Sequence, residues 1–269
     1  MIARVQLAKA GITTSRLAFG TSRLHYVSHR ERHRLLAAAA DLGILHFDTA
    51  PAYGDGLAEA ELGRYLNGGR DRFVIATKYG IPADLMIEGF LPVAPPLRML
   101  RALARQFGLW QYPLPPLTAA GLRASLERSL RRLQTDWIDI FFLHEPRLER
   151  LSHPNEILDQ LNKLKERGLI RAFGLAGTWD GIGPLVTAES ELAQVVQTAE
   201  CEWPEKCPPD VTYGAVSGTA QNYFKGDIGT EIAAERLRSA LTRRPNGVVI
   251  VSTTKIGHLR DLAQAATAI

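Results

Sequence analysis

The chain has 269 residues, of which 46% are apolar and 22% charged, the balance of a globular protein that buries a large core rather than of a disordered one. Its net charge of +4 comes largely from arginines on helical stretches, with no basic stripe interleaved with stacking aromatics, so nucleic-acid binding is not expected. No run approaches the ~18 apolar residues of a membrane span, and the first eleven residues lack the apolar centre of a leader, which points to a cytoplasmic protein.

Short apolar runs alternate with amphipathic segments, as in repeated β-α units around a parallel sheet. Strands are predicted over 16–20, 44–48, 73–77, 137–143, 170–175, 194–199, 211–216 and 247–251. Helices are predicted over 28–42, 57–66, 118–133, 155–167, 180–189, 230–242 and 256–268, with a short or irregular stretch after Gly218. Ser28 with Glu31 makes a capping box, and Gly43 and Gly168 stand where helices end. In the helix before residue 134, Leu122, Leu126, Leu130 and Leu133 form the buried stripe, which turns Arg123, Arg128, Arg131 and Arg132 mostly to solvent.

Eight such rounds close into a single (β/α)8 barrel spanning 1–269, an α/β fold whose reactive groups gather at the strands' C-terminal ends. A doubly wound sheet would bring a glycine-rich dinucleotide loop after its first strand, and Gly20-Thr21-Ser22-Arg23 is not one. The rhythm breaks at about 80–117, a proline-rich insertion carrying Pro82, Pro92, Pro95, Pro96, Pro113, Pro115 and Pro116. It is read either as a lid at the active rim or as an ornament on the barrel's outside. Cys201 and Cys207 flank a Trp-Pro pair and are expected to be unpaired thiols.

Asp48, Tyr53, Lys78 and His144 fall at or just beyond the ends of the second, third and fourth strands. A tyrosine, with an ordinary pKa of ~10, is a slow proton donor near neutrality unless its phenolate is stabilised, and a lysine ammonium does that. A buried ammonium in turn needs a carboxylate, for which Asp48 is the candidate, while His144 can hydrogen-bond and orient a substrate oxygen. The four together make a proton-transfer set.

These residues lie in blocks that resemble the aldo-keto reductases: Phe47-Asp48-Thr49-Ala50-Pro51-Ala52-Tyr53-Gly54 with Glu61-Leu62-Gly63, then Lys78, the run from Ser125 to Leu133, Asp136-Trp137-Ile138-Asp139, His144, and Gly168 to Gly174. The resemblance implies hydride transfer between NADPH, or NADH, and a small-molecule aldehyde, ketone or sugar-like substrate, or the reverse reaction on an alcohol, with Tyr53 as proton donor. It also implies that Gln197 bonds the nicotinamide carboxamide, that Tyr213 stacks on the ring, and that Thr21 and Ser22 line that end of the cleft. Ser252, Thr254 and Lys255 stand where the family binds the adenosine 2′-phosphate.

Two departures bear on the cofactor. Ala176-Gly177 replaces the family's Ser-Asn, removing two polar contacts, and Thr254 stands at the usual arginine, leaving Lys255 to meet a phosphate as a point charge. A non-catalytic or weakly catalytic regulatory barrel that binds the cofactor is the rival reading, and a metal-dependent hydrolase a third.

His25, His29 and His33 recur every fourth residue, but Arg30, Arg32 and Arg34 around them would repel a cation, so no metal site is expected. His144-Glu145-Pro146 has no second histidine at helix spacing, and Gly181-Ile182-Gly183-Pro184 reads as a turn rather than a phosphate loop. Specificity is expected from the rim, through Trp110 and Tyr112 of the insertion and the loop from Glu145 to Arg150. The sequence sets neither the physiological substrate nor the oligomeric state.

Overall fold

The computed structural model describes residues 2–83, 114–188, 190–200, 203–216 and 229–268. The expectations for the proline-rich insertion with Trp110 and Tyr112, for Cys201, and for the stretch after Gly218 lie outside these residues.

Eight parallel strands close a barrel: β3 (Leu17–Gly20), β4 (His46–Asp48), β5 (Val74–Tyr79), β6 (Ile138–His144), β7 (Ile170–Ala176), β8 (Val196–Ala199), β9 (Val211–Tyr213) and β10 (Val248–Val251), with β10 returning to pair β3. Helices α1 (His29–Asp41), α2 (Leu57–Leu66), α3 (Ala119–Leu133), α4 (Pro154–Glu166), α5 (Trp179–Thr187), α6 (Thr230–Arg243) and α7 (Ile256–Thr267) follow strands in the predicted order. The expected single-domain (β/α)8 fold is what forms. Ser28 caps α1 with the predicted reciprocal box, and Gly43 and Gly168 take φ of 83° and 71°.

Side chains on a strand alternate between its two faces, and that period sorts the core into two layers. Phe19, Phe47, Ile75, Phe141, Phe173 and Val249 point outward under the helices. Ala18, Val74, Ala76, Ile140, Phe142, Ala172, Val211, Val248 and Ile250 fill the barrel's inside. Continuing the inward parity toward the C-terminal ends of six of the strands gives Gly20, Asp48, Lys78, His144, Ala176 and Tyr213.

An antiparallel hairpin, β1 (Arg4–Leu7) with β2 (Ile12–Ser15), precedes the barrel and was not expected from the sequence. Its Val5, Leu7 and Ile12 belong to the inner core layer and stopper the barrel at the strands' N-terminal ends. A second correction concerns Arg132, which is not solvated: only 10% of its side chain is exposed, and its Nε lies 2.7 Å from the buried carboxylate of Glu59 on α2. Gly63 makes that approach possible, because a Cβ there would stand 2.5 Å from the Arg132 carbonyl oxygen. The outer oxygen-rich cluster is completed by Thr77, whose hydroxyl donates to Glu59 at 2.7 Å.

Candidate active site

The turn between Asp48 and Tyr53 is built by the backbone. Thr49 N–H donates to the Ala76 carbonyl at 2.8 Å, tying the turn to β5, and Tyr53 N–H closes back on the Ala50 carbonyl at 3.0 Å. Gly54, Asp55 and Gly56 then take left-handed backbone angles that swing the chain into α2. At Gly54 a Cβ would also collide with the Cβ of His25, so glycine is required there twice over. The result places the Tyr53 phenol back over the barrel mouth, five residues after the strand has ended.

Lys78 is 1% exposed and Asp48 3%. The ammonium donates to both Asp48 carboxylate oxygens at 2.7 Å, to the Thr49 carbonyl at 2.9 Å and to the Tyr53 hydroxyl at 3.3 Å. It also lies 4.9 Å from the centre of the Tyr53 ring. Burial pushes the Lys78 pKa down, and the facing Asp48 carboxylate opposes that push. Gln197 Nε2 donates to the same Asp48 at 3.1 Å, and Thr21 Oγ1 donates to the Asp48 backbone carbonyl at 3.1 Å. The carboxylate is thus held from β5 by Lys78 and from across the barrel on β8 by Gln197, while Thr21 fixes the backbone behind it, so it cannot turn away from the lysine.

His144 ends β6 beside Ala176 of β7. Burial, helped by the positive charges of Lys78 and Arg150, holds its pKa well below the ordinary histidine value, so it stands as a neutral imidazole at physiological pH. Its Nδ1 is buried without a hydrogen-bond partner among the described residues. A neutral ring with one nitrogen protonated is suited to holding a neutral or developing oxygen anion by a hydrogen bond.

Sequence reasoning missed what fixes the rim. Arg150, 6% exposed, donates to the carbonyls of His144, Glu145, Gly80 and Pro115 at 2.6–3.3 Å. Because its partners are backbone atoms of three segments, no side-chain pattern marks it. The Glu145 carboxyl accepts from Thr178 N–H at 3.3 Å and lies where a side chain on Gly177 would project. Burial raises its pKa. The space opened by glycine at 177 is therefore occupied from the neighbouring strand.

The cofactor candidates divide. Gln197 joins the Asp48–Lys78 pair directly, and its Oε1 is a buried acceptor without a hydrogen-bond partner among the described residues. Tyr213 ends β9, one strand further round the mouth. Thr21 is fully buried and committed to the Asp48 backbone, while Ser22 is partly exposed on the turn after β3. Ser252 and Thr254 follow β10 at the mouth, and Lys255 is the exposed residue preceding α7, with its N–H donating to Thr253 Oγ1 at 3.1 Å.

The barrel agrees with what comparison of the chain with known proteins finds. The family model described as the aldo/keto reductase family matches residues 16–197, and the chain belongs to that family. It is 32% identical over 183 residues to a D-threo-aldose 1-dehydrogenase of a Pseudomonas species, covering 62% of this chain and 51% of that protein. It is likewise 32% identical over 204 residues to the pyridoxal 4-dehydrogenase of Microbacterium luteolum, covering 73% of this chain and 59% of that protein. The chain therefore spans less than two thirds of these curated relatives. A solved structure of a putative aldo-keto reductase from Pseudomonas aeruginosa superposes with a TM-score of 0.71 at 28% identity, over 98% of this chain and 95% of the other. Among the described residues no helix is long and apolar enough to cross a membrane.

Proposed function

We propose that the protein is a nicotinamide-dependent oxidoreductase that interconverts a small aldehyde or ketone and the corresponding alcohol, with Tyr53 delivering or removing the proton on oxygen. The observation that carries this reading is the contact of the buried Lys78 with both the buried Asp48 and the Tyr53 hydroxyl. The cofactor, when bound, supplies or takes up the hydride at carbon. The proton is the chain's own task.

In the reducing direction Tyr53 holds the proton that passes to the carbonyl oxygen, and Lys78 stabilises the phenolate left behind. Asp48 keeps Lys78 charged despite its burial. His144, neutral, orients the carbonyl oxygen by a hydrogen bond while the proton moves. Gln197, through its unpartnered Oε1, is suited to the N–H of the carboxamide, and Tyr213 to the ring. Thr21 and Ser22 border that end, and Ser252, Thr254 and Lys255 would hold either the 2′-phosphate of NADPH or a ribose hydroxyl of NADH. NADPH is favoured because Lys255 brings a positive charge to that position. Solved relatives include a Klebsiella pneumoniae aldo-keto reductase in complex with NADPH.

Absorbance of the reduced nicotinamide, followed with a panel of aldehydes, ketones and aldoses, tests the reading. Tyr53→Phe is expected to lower kcat by about 10²–10⁴ while leaving cofactor affinity unchanged. Unchanged turnover in that variant removes Tyr53 from its role. Tight cofactor binding without turnover of any carbonyl or alcohol would favour the regulatory barrel instead.

A further inference from the structure

We propose that His29, His33 and Glu61 form a zinc-type divalent metal site that clamps α1 to α2. The two histidines lie one helical turn apart on α1, and Glu61 projects from α2 between them. His29 Nδ1 is 2.7 Å from Glu61 Oε2, His33 Nε2 is 3.7 Å from the same oxygen, and the three atoms all lie within 4.8 Å of one another. Ligand atoms about 2.0–2.1 Å from a tetrahedral zinc stand roughly 3.3 Å apart, a value the two observed separations bracket. A shift of the two imidazoles, whose ligand atoms lie within 4.8 Å of each other, would convert this cluster into three ligands, with the exposed side of His29 open for a water molecule.

The sequence argued against a cation because arginines surround the histidines, and the structure changes that premise. Arg64 Nη1 and Arg32 Nη1 both lie on the other carboxylate oxygen, Glu61 Oε1, at 2.8 and 3.3 Å. They fix the carboxylate from behind and leave Oε2 aimed at the imidazoles, as outer partners of a metal ligand do. Arg30 and Arg34 are exposed, where solvent and salt screen them. His25 stacks on Tyr26 and takes no part.

Two further features fit a ligand role. Glu61 is 2% exposed, so its carboxylate is already desolvated and positioned, and His33 Nε2 is buried without a hydrogen-bond partner among the described residues. Metal binding at His29 Nδ1 displaces the proton that this nitrogen shares with Glu61 Oε2, which passes to the ring's other nitrogen or, from a doubly protonated ring, to solvent, so no redox partner is required. The positive charges of Arg32 and Arg64 make the site weaker than one built on uncompensated carboxylates.

Tag-free protein titrated with Co²⁺ alone and with Zn²⁺ alone gives the test, read by visible absorption for Co²⁺ and by calorimetry and Tm for Zn²⁺. One equivalent per chain with four-coordinate Co²⁺ bands, and a Tm raised by Zn²⁺, is expected. Glu61→Gln and His33→Ala should each weaken binding by about tenfold or more. Should Glu61→Gln fail to fold because Arg32 and Arg64 lose their partner, the His29→Ala/His33→Ala pair on the partly exposed helix face serves in its place. No uptake by the wild-type chain, or equal uptake by the histidine variants, overturns the proposal; the second result would place the ion elsewhere, for example at Cys207. Neither readout depends on catalytic turnover.

Discussion

Adjacent residues of β5 serve two buried ionic clusters that stand back to back. Lys78 faces into the barrel and meets Asp48 and Tyr53, whereas Thr77 faces outward and meets Glu59, which in turn holds Arg132. Both clusters sit in low dielectric and both are well hydrogen-bonded, so burial alone does not separate a reactive pair from a structural one. What separates them is the third partner. Outside, Thr77 and the two helices seal Glu59 completely; inside, the lysine reaches a tyrosine at an open mouth.

Breaking the inner cluster should show in chemistry. Lys78→Met is expected to cut turnover by about 10²–10⁴, measured per folded molecule by cofactor absorbance. Breaking the outer one should show in stability: Glu59→Gln removes the buried carboxylate that accepts from both Arg132 Nε and the Thr77 hydroxyl and costs about 3–5 kcal/mol in urea unfolding, while the folded fraction keeps its turnover. If Glu59→Gln abolished turnover with little loss of stability, the two clusters would have to be regarded as one. Thr77→Val removes only a charge-assisted hydrogen bond and should cost about 1.5–3 kcal/mol.

His46 sharpens the contrast by showing what the barrel interior does to a cation with no carboxylate beside it. Two residues before Asp48 on the same strand, it is buried with neither ring nitrogen hydrogen-bonded among the described residues, and burial, with Lys78 nearby, lowers its pKa to about 3. The folded value lies below the ordinary value of 6.5, so the unfolded chain takes up the proton first as pH falls. This histidine leaves stability untouched above pH 6.5 and erodes it between there and about pH 3, at about 1.4 kcal/mol per pH unit. His46→Gln should flatten acid unfolding by that slope, read as the urea midpoint against pH.

The inner cluster was legible in the sequence because each member ends a strand or the turn just after it, and strand ends converge in a barrel. The outer one was not. Helix periodicity sends Arg132 to solvent, and only the close approach of α2 and α3 at Gly63 turns it inward. The hairpin escaped notice although Val5 and Leu7 alternate and Gly11 marks the turn, since two four-residue strands give too short a period to stand out. Arg150 left no trace at all, its partners being carbonyl oxygens. The filling of the gap at Gly177 by Glu145 likewise depends on a contact between neighbouring strands that spacing cannot reveal.

The four contacts of the Lys78 ammonium carry a directional consequence. An ammonium has three hydrogens and no lone pair, so it gives to Asp48, to the Thr49 carbonyl and to Tyr53, and can receive from none of them. The phenol oxygen is an acceptor on that side, so its own hydrogen is turned away from the lysine. The chain of hydrogen bonds therefore has a fixed polarity, running outward from the barrel wall. Only loss of the lysine's proton would create a lone pair and let the polarity reverse, and the carboxylate of Asp48 stands against that loss.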